Sequence, residues 1–247
     1  MNDYNAPDQL LSGKNILITG AGDGIGKQAA LTYAEYGATC ILLGRTVAKL
    51  EAVYDQIVAA GWSEPAIVPL DLNGATPKHY QDMADTIGDQ FGHLDGVLLN
   101  AGSLGHLSPF AHISVEEWQQ VMQVNLNSSV YMLQPLLPLL EKSDNASVIF
   151  TTSSVGRKGR AFWGTYSVSK FATEGLMQVL ADEYNKKSVR FNCINPGATR
   201  TNMRAKAFPA ENADTLKTPA DIMPLYLYLM GKDSAEVNGE SLDCQPK

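Results

Sequence analysis

Short apolar runs alternate with longer amphipathic stretches along the whole chain. Asn15–Thr19, Thr39–Leu43, Ala66–Pro69, Val97–Asn100, Ser147–Thr152 and Val189–Ile194 are near-continuous apolar runs of four to six residues, with a weaker one at Ser241–Asp243. Runs of that kind, rather than strict alternation, mark strands buried on both faces, as in a parallel sheet covered by helices. Between them lie helical spacings. Ile25, Ala29, Ala30 and Tyr33 recur every three to four residues, and Gly37 is a natural stop. Ser114 and Glu117 form an S-x-x-E capping box that opens a helix through Val121, Val124 and Leu126. Tyr131–Leu140 is greasy but interrupted by Gln134, Pro135 and Pro138, and reads as the buried end of that helix. Tyr166–Tyr184 carries an apolar stripe at Phe171, Leu176, Val179 and Leu180.

No linker, repeat or low-complexity segment divides the alternation. It predicts one α/β domain over residues 1–247, Rossmann-like and doubly wound, with about seven strands in a mostly or wholly parallel sheet and helices on both faces. Arg200–Pro219 is polar and weakly patterned, and is expected to be a loop or short helices over a site.

At 247 residues with 45% hydrophobic and 18% charged residues, the chain can bury a core without disulfides or metals, and disorder is excluded for its bulk. Lys and Arg number 19 against 26 Asp and Glu, a net charge of −7, which argues against nucleic acid and anionic membranes as partners. Cys40, Cys193 and Cys244 are far apart, the histidines do not cluster, and no metal site is expected. Met1–Leu10 lacks the basic and apolar regions of a signal peptide, and no apolar run is long enough to span a bilayer. A cytoplasmic protein is the expectation.

The chemistry starts after the first strand, where Thr19-Gly20-Ala21-Gly22-Asp23-Gly24-Ile25-Gly26 reads T-G-x-x-x-G-x-G. Glycines between a strand and a helix allow a tight turn and bring backbone N–H groups to a diphosphate at the helix N-terminus. No G-K-[ST] follows, so this is not a Walker loop. The second strand ends in Leu43-Gly44-Arg45-Thr46, without the carboxylate that commonly binds a free ribose 2′-OH. Arg45 and Thr46 suit a 2′-phosphate instead, so NADP(H) is favoured and NAD(H) stays possible. Asp23 opposes a 2′-phosphate if it faces that pocket, and Arg45 could simply be a solvated cation.

Tyr166-Ser-Val-Ser-Lys170 is a Y-x-x-x-K at a helix start, which puts phenol and ammonium on one face about 6 Å apart along the axis. A tyrosine with an ordinary pKa near 10 needs such a neighbour to exchange protons near neutrality. Ser153 lies thirteen residues before Tyr166, past an apolar strand. Asn100-Ala101-Gly102 and Asn195-Pro196-Gly197 end two further strands. The carboxyl ends of parallel strands share one crevice, so these motifs converge.

Together they resemble the short-chain dehydrogenases/reductases, in their compact single-domain branch, over roughly residues 10–245. GRAFWGTYSVSKFATEG and NCINPGATRT are similar to a group of bacterial oxidoreductases of that family. The resemblance implies Tyr166 as acid–base, Lys170 as the group that lowers its pKa and holds the nicotinamide ribose, and Ser153 as the residue that positions the carbonyl. It implies that Asn125 holds a water linking Lys170 to solvent, although a packing amide is the other reading. Asp71 and Leu72 would flank adenine, and Pro196, Gly197, Thr199 and Thr201 would border the nicotinamide. Asn100, Ala101 and Gly102 complete the cofactor wall. Ser153 is preferred to its neighbours Thr152 and Ser154 by its spacing to Tyr166.

The implied function is hydride transfer between nicotinamide and a small-molecule alcohol/carbonyl pair. A non-catalytic NADP(H)-binding sensor or scaffold of the same fold is the alternative, and intact Asn125, Ser153, Tyr166 and Lys170 count against it. Relatives that act as epimerases or dehydratases are usually longer. Ser103–His106, Phe162, Trp163 and Met203–Phe208 are expected to wall the substrate pocket. Apolar residues on several sides of the helices at Ser114–Leu140 and Tyr166–Lys186 predict a homodimer or homotetramer.

Overall fold

A computed structural model describes residues 3–185 and 188–246. The seven expected runs are strands: β1 (Asn15–Thr19), β2 (Thr39–Gly44), β3 (Ala66–Pro69), β4 (Gly96–Leu99), β5 (Ala146–Thr151), β6 (Val189–Asn195) and β7 (Ser241–Asp243). They form one sheet in the order β3-β2-β1-β4-β5-β6-β7, and every neighbouring pair is parallel.

Alternate residues of each strand feed opposite faces, as the pleat requires. Ile16, Ile18, Cys40, Leu42 and Leu98 enter one core with Ala29, Tyr33, Leu50 and Tyr226. Leu17, Ile41, Leu43, Val97 and Leu99 enter the other with Tyr80, Ile87, Leu136 and Met177. The first core is built on α1 (Gly24–Glu35), α2 (Val47–Ala59) and α8 (Met223–Met230), the second on α3 (Pro77–Phe91), α5 (Ser128–Leu140) and α6 (Gly164–Glu183). Strand order reverses between β1 and β4, so the chain leaves these strands in opposite directions and opens a crevice at their carboxyl ends.

The helix expected from Ser114 is α4 (Val115–Met122), a π-helical turn at Gln123–Asn127, and α5, which runs through Pro135 and Pro138 to Leu140. Ser114 caps it by accepting from the Glu117 N–H at 3.1 Å. Glu117 does not complete the expected reciprocal box. Its carboxylate instead accepts from the His106 N–H at 2.6 Å and lies 3.0 Å from that ring's Nδ1.

The stripe expected on α6 differs more. Phe171 is 46% exposed and Val179 55% exposed, while the buried face carries Tyr166, Ser169, Lys170, Thr173 and Glu174. Leu180 of the expected stripe is buried in the second core beside Met177 and Ala181, and Leu176 packs against it, whereas Phe171 and Val179 point outward. The polar side of the first turns carries Tyr166 and Lys170 to the crevice. The helix starts at Gly164, two residues before the expected start, and Lys186 at its expected far end lies outside the described residues. Arg200–Pro219 folds as α7 (Asn202–Ala207) followed by a short 3-10 turn at Ala213–Thr215.

Candidate active site

At the switch point, the glycine loop is built so that specific Cβ atoms cannot be added. Gly20 and Gly24 have φ of 69° and 53°, the left-handed region that disfavours other residues. A Cβ on Gly26 would lie 2.3 Å from the Gly20 carbonyl oxygen and 2.7 Å from Asn100 Nδ2, so only glycine lets α1 approach β1 and β4 so closely. Asp23 caps α1, its Oδ1 accepting from the Gly24 N–H at 2.8 Å. The N–H groups of the first helical turn are orphan donors. A glycine cradle at that end of the helix fits a dinucleotide diphosphate.

Thr19 joins this loop to the next strand. Its hydroxyl accepts from the N–H groups of Asn100 (2.9 Å) and Ala101 (3.0 Å) and donates to the Leu98 carbonyl at 3.3 Å. Asn100 also donates to the Thr19 carbonyl and accepts from Thr151 Oγ1. The N-A-G motif is therefore fixed to the glycine loop on one side and to β5 on the other. Asn195 ends β6, and Gln245 donates to the carbonyls of Pro196 (2.9 Å) and Ala198 (3.1 Å), clamping the P-G turn from the chain's tail. Thr199 is buried and donates to the Pro196 carbonyl, and Thr201 caps α7.

One cavity of about 910 Å³ runs along these strand ends. Of the residues expected to bind the cofactor, Gly20, Asp23, Gly24, Ile25, Arg45, Thr46, Asp71 and Leu72 border it, as do Asn100–Gly102, Pro196, Gly197, Thr199 and Thr201. Gly26 lies behind the loop. Of the four residues expected to act on substrate, Ser153, Tyr166 and Lys170 border the same cavity and Asn125 stands behind Ser103. Thr152 borders it with its hydroxyl buried and unpartnered, and Ser154 does not border it.

Tyr166 is 8% and Lys170 4% exposed. Lys170 Nζ donates to the Thr151 carbonyl at 2.7 Å and lies 5.6 Å from the centre of the Tyr166 ring. Burial pushes the Tyr166 hydroxyl up to about 12, while its hydrogen bond with Ser153 works the other way. Burial brings Lys170 down to about 8, against the pull of Cys193 and Glu174. A phenol held protonated beside an ammonium that titrates near neutrality can deliver a proton to an oxygen placed against Ser153.

Asn125, in the π turn, uses its whole amide. Oδ1 accepts from the Ser103 N–H at 2.7 Å, and Nδ2 donates to the Ser103 carbonyl and to Ser169 Oγ, both at 2.9 Å. Ser169 lies one residue before Lys170, so Asn125 ties the N-A-G loop to the helix of the Y-x-x-x-K. Of the residues expected to wall a substrate pocket, Ser103–His106, Trp163, Met203 and Phe208 border the cavity, whereas Phe162 is 59% exposed and does not. Phe162 has φ of 72°, in the left-handed region.

The short chain dehydrogenase family model matches residues 14–212. The chain belongs to the short-chain dehydrogenases. It is 55% identical over 243 residues to the uncharacterized oxidoreductase YciK of Escherichia coli strain K12, covering 98% of this chain and 96% of that protein. A short chain dehydrogenase of E. coli CFT073, solved in complex with NADPH, superposes with a TM-score of 0.95 at 56% identity, covering 97% of this chain and 100% of that one. One from Shigella flexneri 2a, complexed with NADP, has a TM-score of 0.95 at 55% identity, with the same coverage of both chains. This dehydrogenase is thus an oxidoreductase whose fold and motifs agree with its family.

Several residues of its site were not expected from sequence. Lys49 pairs with Asp23 at 2.5 Å, and Asn202 donates to the same carboxylate oxygen at 3.2 Å. The Lys49 hydrogen bond is the main cause holding Asp23 below the usual carboxylate range. A signal existed: Lys49 is a cation in the first turn of a helix, where the dipole disfavours it. Thr19 was legible as the first residue of the glycine motif. Gln245 left no local signal, because its partners are 46 to 49 residues away.

Proposed function

We propose that this dehydrogenase is NADP(H)-linked and interconverts a small-molecule alcohol and its carbonyl compound, with Tyr166 as the acid–base. The observation that carries the reading is that Ser153, Tyr166 and Lys170 open on the same cavity as the glycine cradle and Arg45. The NADP and NADPH complexes of the solved relatives support the choice of cofactor. NAD(H) is the weaker second ligand.

When bound, the cofactor supplies or accepts the hydride. The glycine cradle and the Ile25 N–H at the head of α1 would receive the diphosphate. Arg45 and Thr46 face the 2′-phosphate. Asp71 and Leu72 border the adenine, and Asn100–Gly102 the adjoining ribose. Pro196, Gly197, Thr199 and Thr201 border the nicotinamide.

Ser153 orients the substrate oxygen. Tyr166 Oη gives that oxygen a proton in reduction and takes one in oxidation. The positive charge of Lys170 stabilises the phenolate that remains, and its ammonium also holds the nicotinamide ribose. Asn125, with its amide committed to Ser103 and Ser169, keeps the N-A-G loop and Lys170 in register. Asn125 sits in a π turn, and it would hold the water on the proton route.

Arg200–Pro219 acts as the substrate loop. Three free, buried cysteines suit a reducing compartment, and the reading includes a cytoplasmic homodimer or homotetramer. Among the described residues, no helix is long and apolar enough to cross a membrane. The test is a panel of carbonyl compounds and alcohols assayed with NADPH and NADH. Turnover of a carbonyl with NADPH supports the reading. Tight NADPH binding without turnover across the panel favours the sensor instead.

A further inference from the structure

We infer that Lys49 is a second phosphate-selecting cation of the cofactor site and that Asp23 tunes its strength. This rests on the NADP(H) reading above. Arg45 and Lys49 stand four residues apart across the start of α2, and both border the cavity beside the glycine loop. The loop packs directly on Lys49, since a Cβ on Gly22 would lie 2.9 Å from the Lys49 Cβ. The lysine therefore projects along the loop to its ammonium's partner, Asp23 Oδ2.

Arg45 makes no hydrogen bond or ion pair among the described residues, and Thr46 makes no side-chain capping bond to α2. The corner thus holds two cations, one carboxylate and a hydroxyl that makes no capping bond. A carboxylate alone beside a 2′-phosphate dianion would repel it. Lys49 cancels that charge and leaves a net positive corner. A half-exposed ammonium on a flexible stem can bridge Asp23 and a phosphate oxygen together.

Asp23 keeps two further partners when Lys49 turns toward phosphate. They are the Gly24 N–H, which it caps, and Asn202 at the start of α7. Asparagine at position 23 retains an oxygen for the cap and removes only the charge. Lys49 is thus a specificity-determining residue, and Asp23 sets how strongly it discriminates.

Calorimetric titration with NADP⁺, NAD⁺, 2′,5′-ADP and 5′-AMP separates the phosphate from the rest of the nucleotide. Lys49→Met is expected to weaken NADP⁺ and 2′,5′-ADP by about tenfold, with a steeper loss at low salt, and to leave NAD⁺ and 5′-AMP nearly unchanged. Asp23→Asn is expected to tighten NADP⁺. The double variant is expected to bind NADP⁺ better than Lys49→Met alone. Unchanged NAD⁺ binding shows that each variant is folded. Equal losses for NADP⁺ and NAD⁺ in Lys49→Met would make Lys49 a clamp on the loop and overturn the inference. So would weaker NADP⁺ binding in Asp23→Asn. A parent protein that prefers NADP⁺ while Lys49→Met keeps that preference refutes Lys49 alone. A parent that prefers NAD⁺ refutes the NADP(H) reading and this inference together.

Discussion

The ammonium nitrogen of Lys170 lies 5.6 Å from the centre of the Tyr166 ring, one helical turn away, and its proton donation goes to the Thr151 carbonyl at 2.7 Å. This anchors the lysine to the end of β5, two residues before Ser153. Strand and helix thereby present hydroxyl, phenol and ammonium to one cavity. The first turns of α6 bury a polar face for that reason.

Tyr166→Phe deletes the proton donor and keeps the ring that packs against Trp163, at 5.8 Å between centroids. Turnover is expected to fall by about 10²–10⁴-fold, with NADPH affinity and thermal stability nearly intact. Activity above about a tenth of the parent's would remove Tyr166 from the proton step.

The pH profile follows from the lysine. Burial places Lys170 near 8, so its charge is present below that value and lost above it. Tyr166, raised to about 12, stays protonated across the same range. The kcat/KM for carbonyl reduction is therefore expected to decline as pH rises through about 8, an apparent value that belongs to the coupled pair. Lys170→Arg, which cannot discharge, is expected to move that limb upward. Folding carries the opposite sign for the two groups. Lys170, lowered from 10.5, disfavours folding below about 8, and this cost fades between about 8 and 10.5. Tyr166, raised from 10.0, contributes stability that is lost as pH climbs from 10.0 toward about 12. Alkaline unfolding of the parent and of Tyr166→Phe measures the second effect.

Arg45→Asp replaces a cation at the mouth of β2, without a partner among the described residues, with a carboxylate. NADPH binding is expected to weaken by about 2 kcal/mol or more, because a charge-assisted hydrogen bond is lost and repulsion is added. NADH binding is expected to hold or improve. Calorimetry with both cofactors checks it, and equal parent affinity for the two would contradict the assignment of Arg45.

Gly26→Ala puts a methyl group 2.3 Å from the Gly20 carbonyl oxygen. Neither that backbone nor Asn100 can retreat without breaking the contacts of Thr19. A loss of about 1–3 kcal/mol in stability is expected, together with loss of dinucleotide binding. Urea unfolding and NADPH titration measure the two effects.

Val168, Phe171 and Val179 are exposed on α6, on the side away from the crevice. A dimer or tetramer that covers this face is expected, and light scattering is expected to report a mass well above the 26.7 kDa of one chain. A single-chain mass at micromolar concentration would contradict it.

The strands were legible because a sheet buried on both faces leaves continuous apolar runs, and all seven lie within a residue or two of where the pattern puts them. The glycine loop and the Y-x-x-x-K were legible because turn geometry and helical spacing are local. The polarity of α6 was not. Periodicity alone does not say which side of a helix is buried. This one buries Leu180 of the expected stripe but turns Phe171 and Val179 outward, and it buries Tyr166 and Lys170 in its first turns. Gln245 was hidden because it acts on a segment distant in sequence and belongs to no motif, and Lys49 left only the weak signal of a cation in the first turn of a helix. Glu117 was read as a capping partner for Ser114, but the N–H of His106 competes for its carboxylate and wins.

The most direct test of the central claim is single-turnover reduction of a working carbonyl substrate, followed by the near-ultraviolet absorbance of NADPH, in the parent and in Tyr166→Phe. The account predicts that the parent oxidises one NADPH per alcohol formed, while Tyr166→Phe binds NADPH as tightly and reduces the substrate at least about a hundredfold more slowly. Equal single-turnover rates in the two proteins would contradict it.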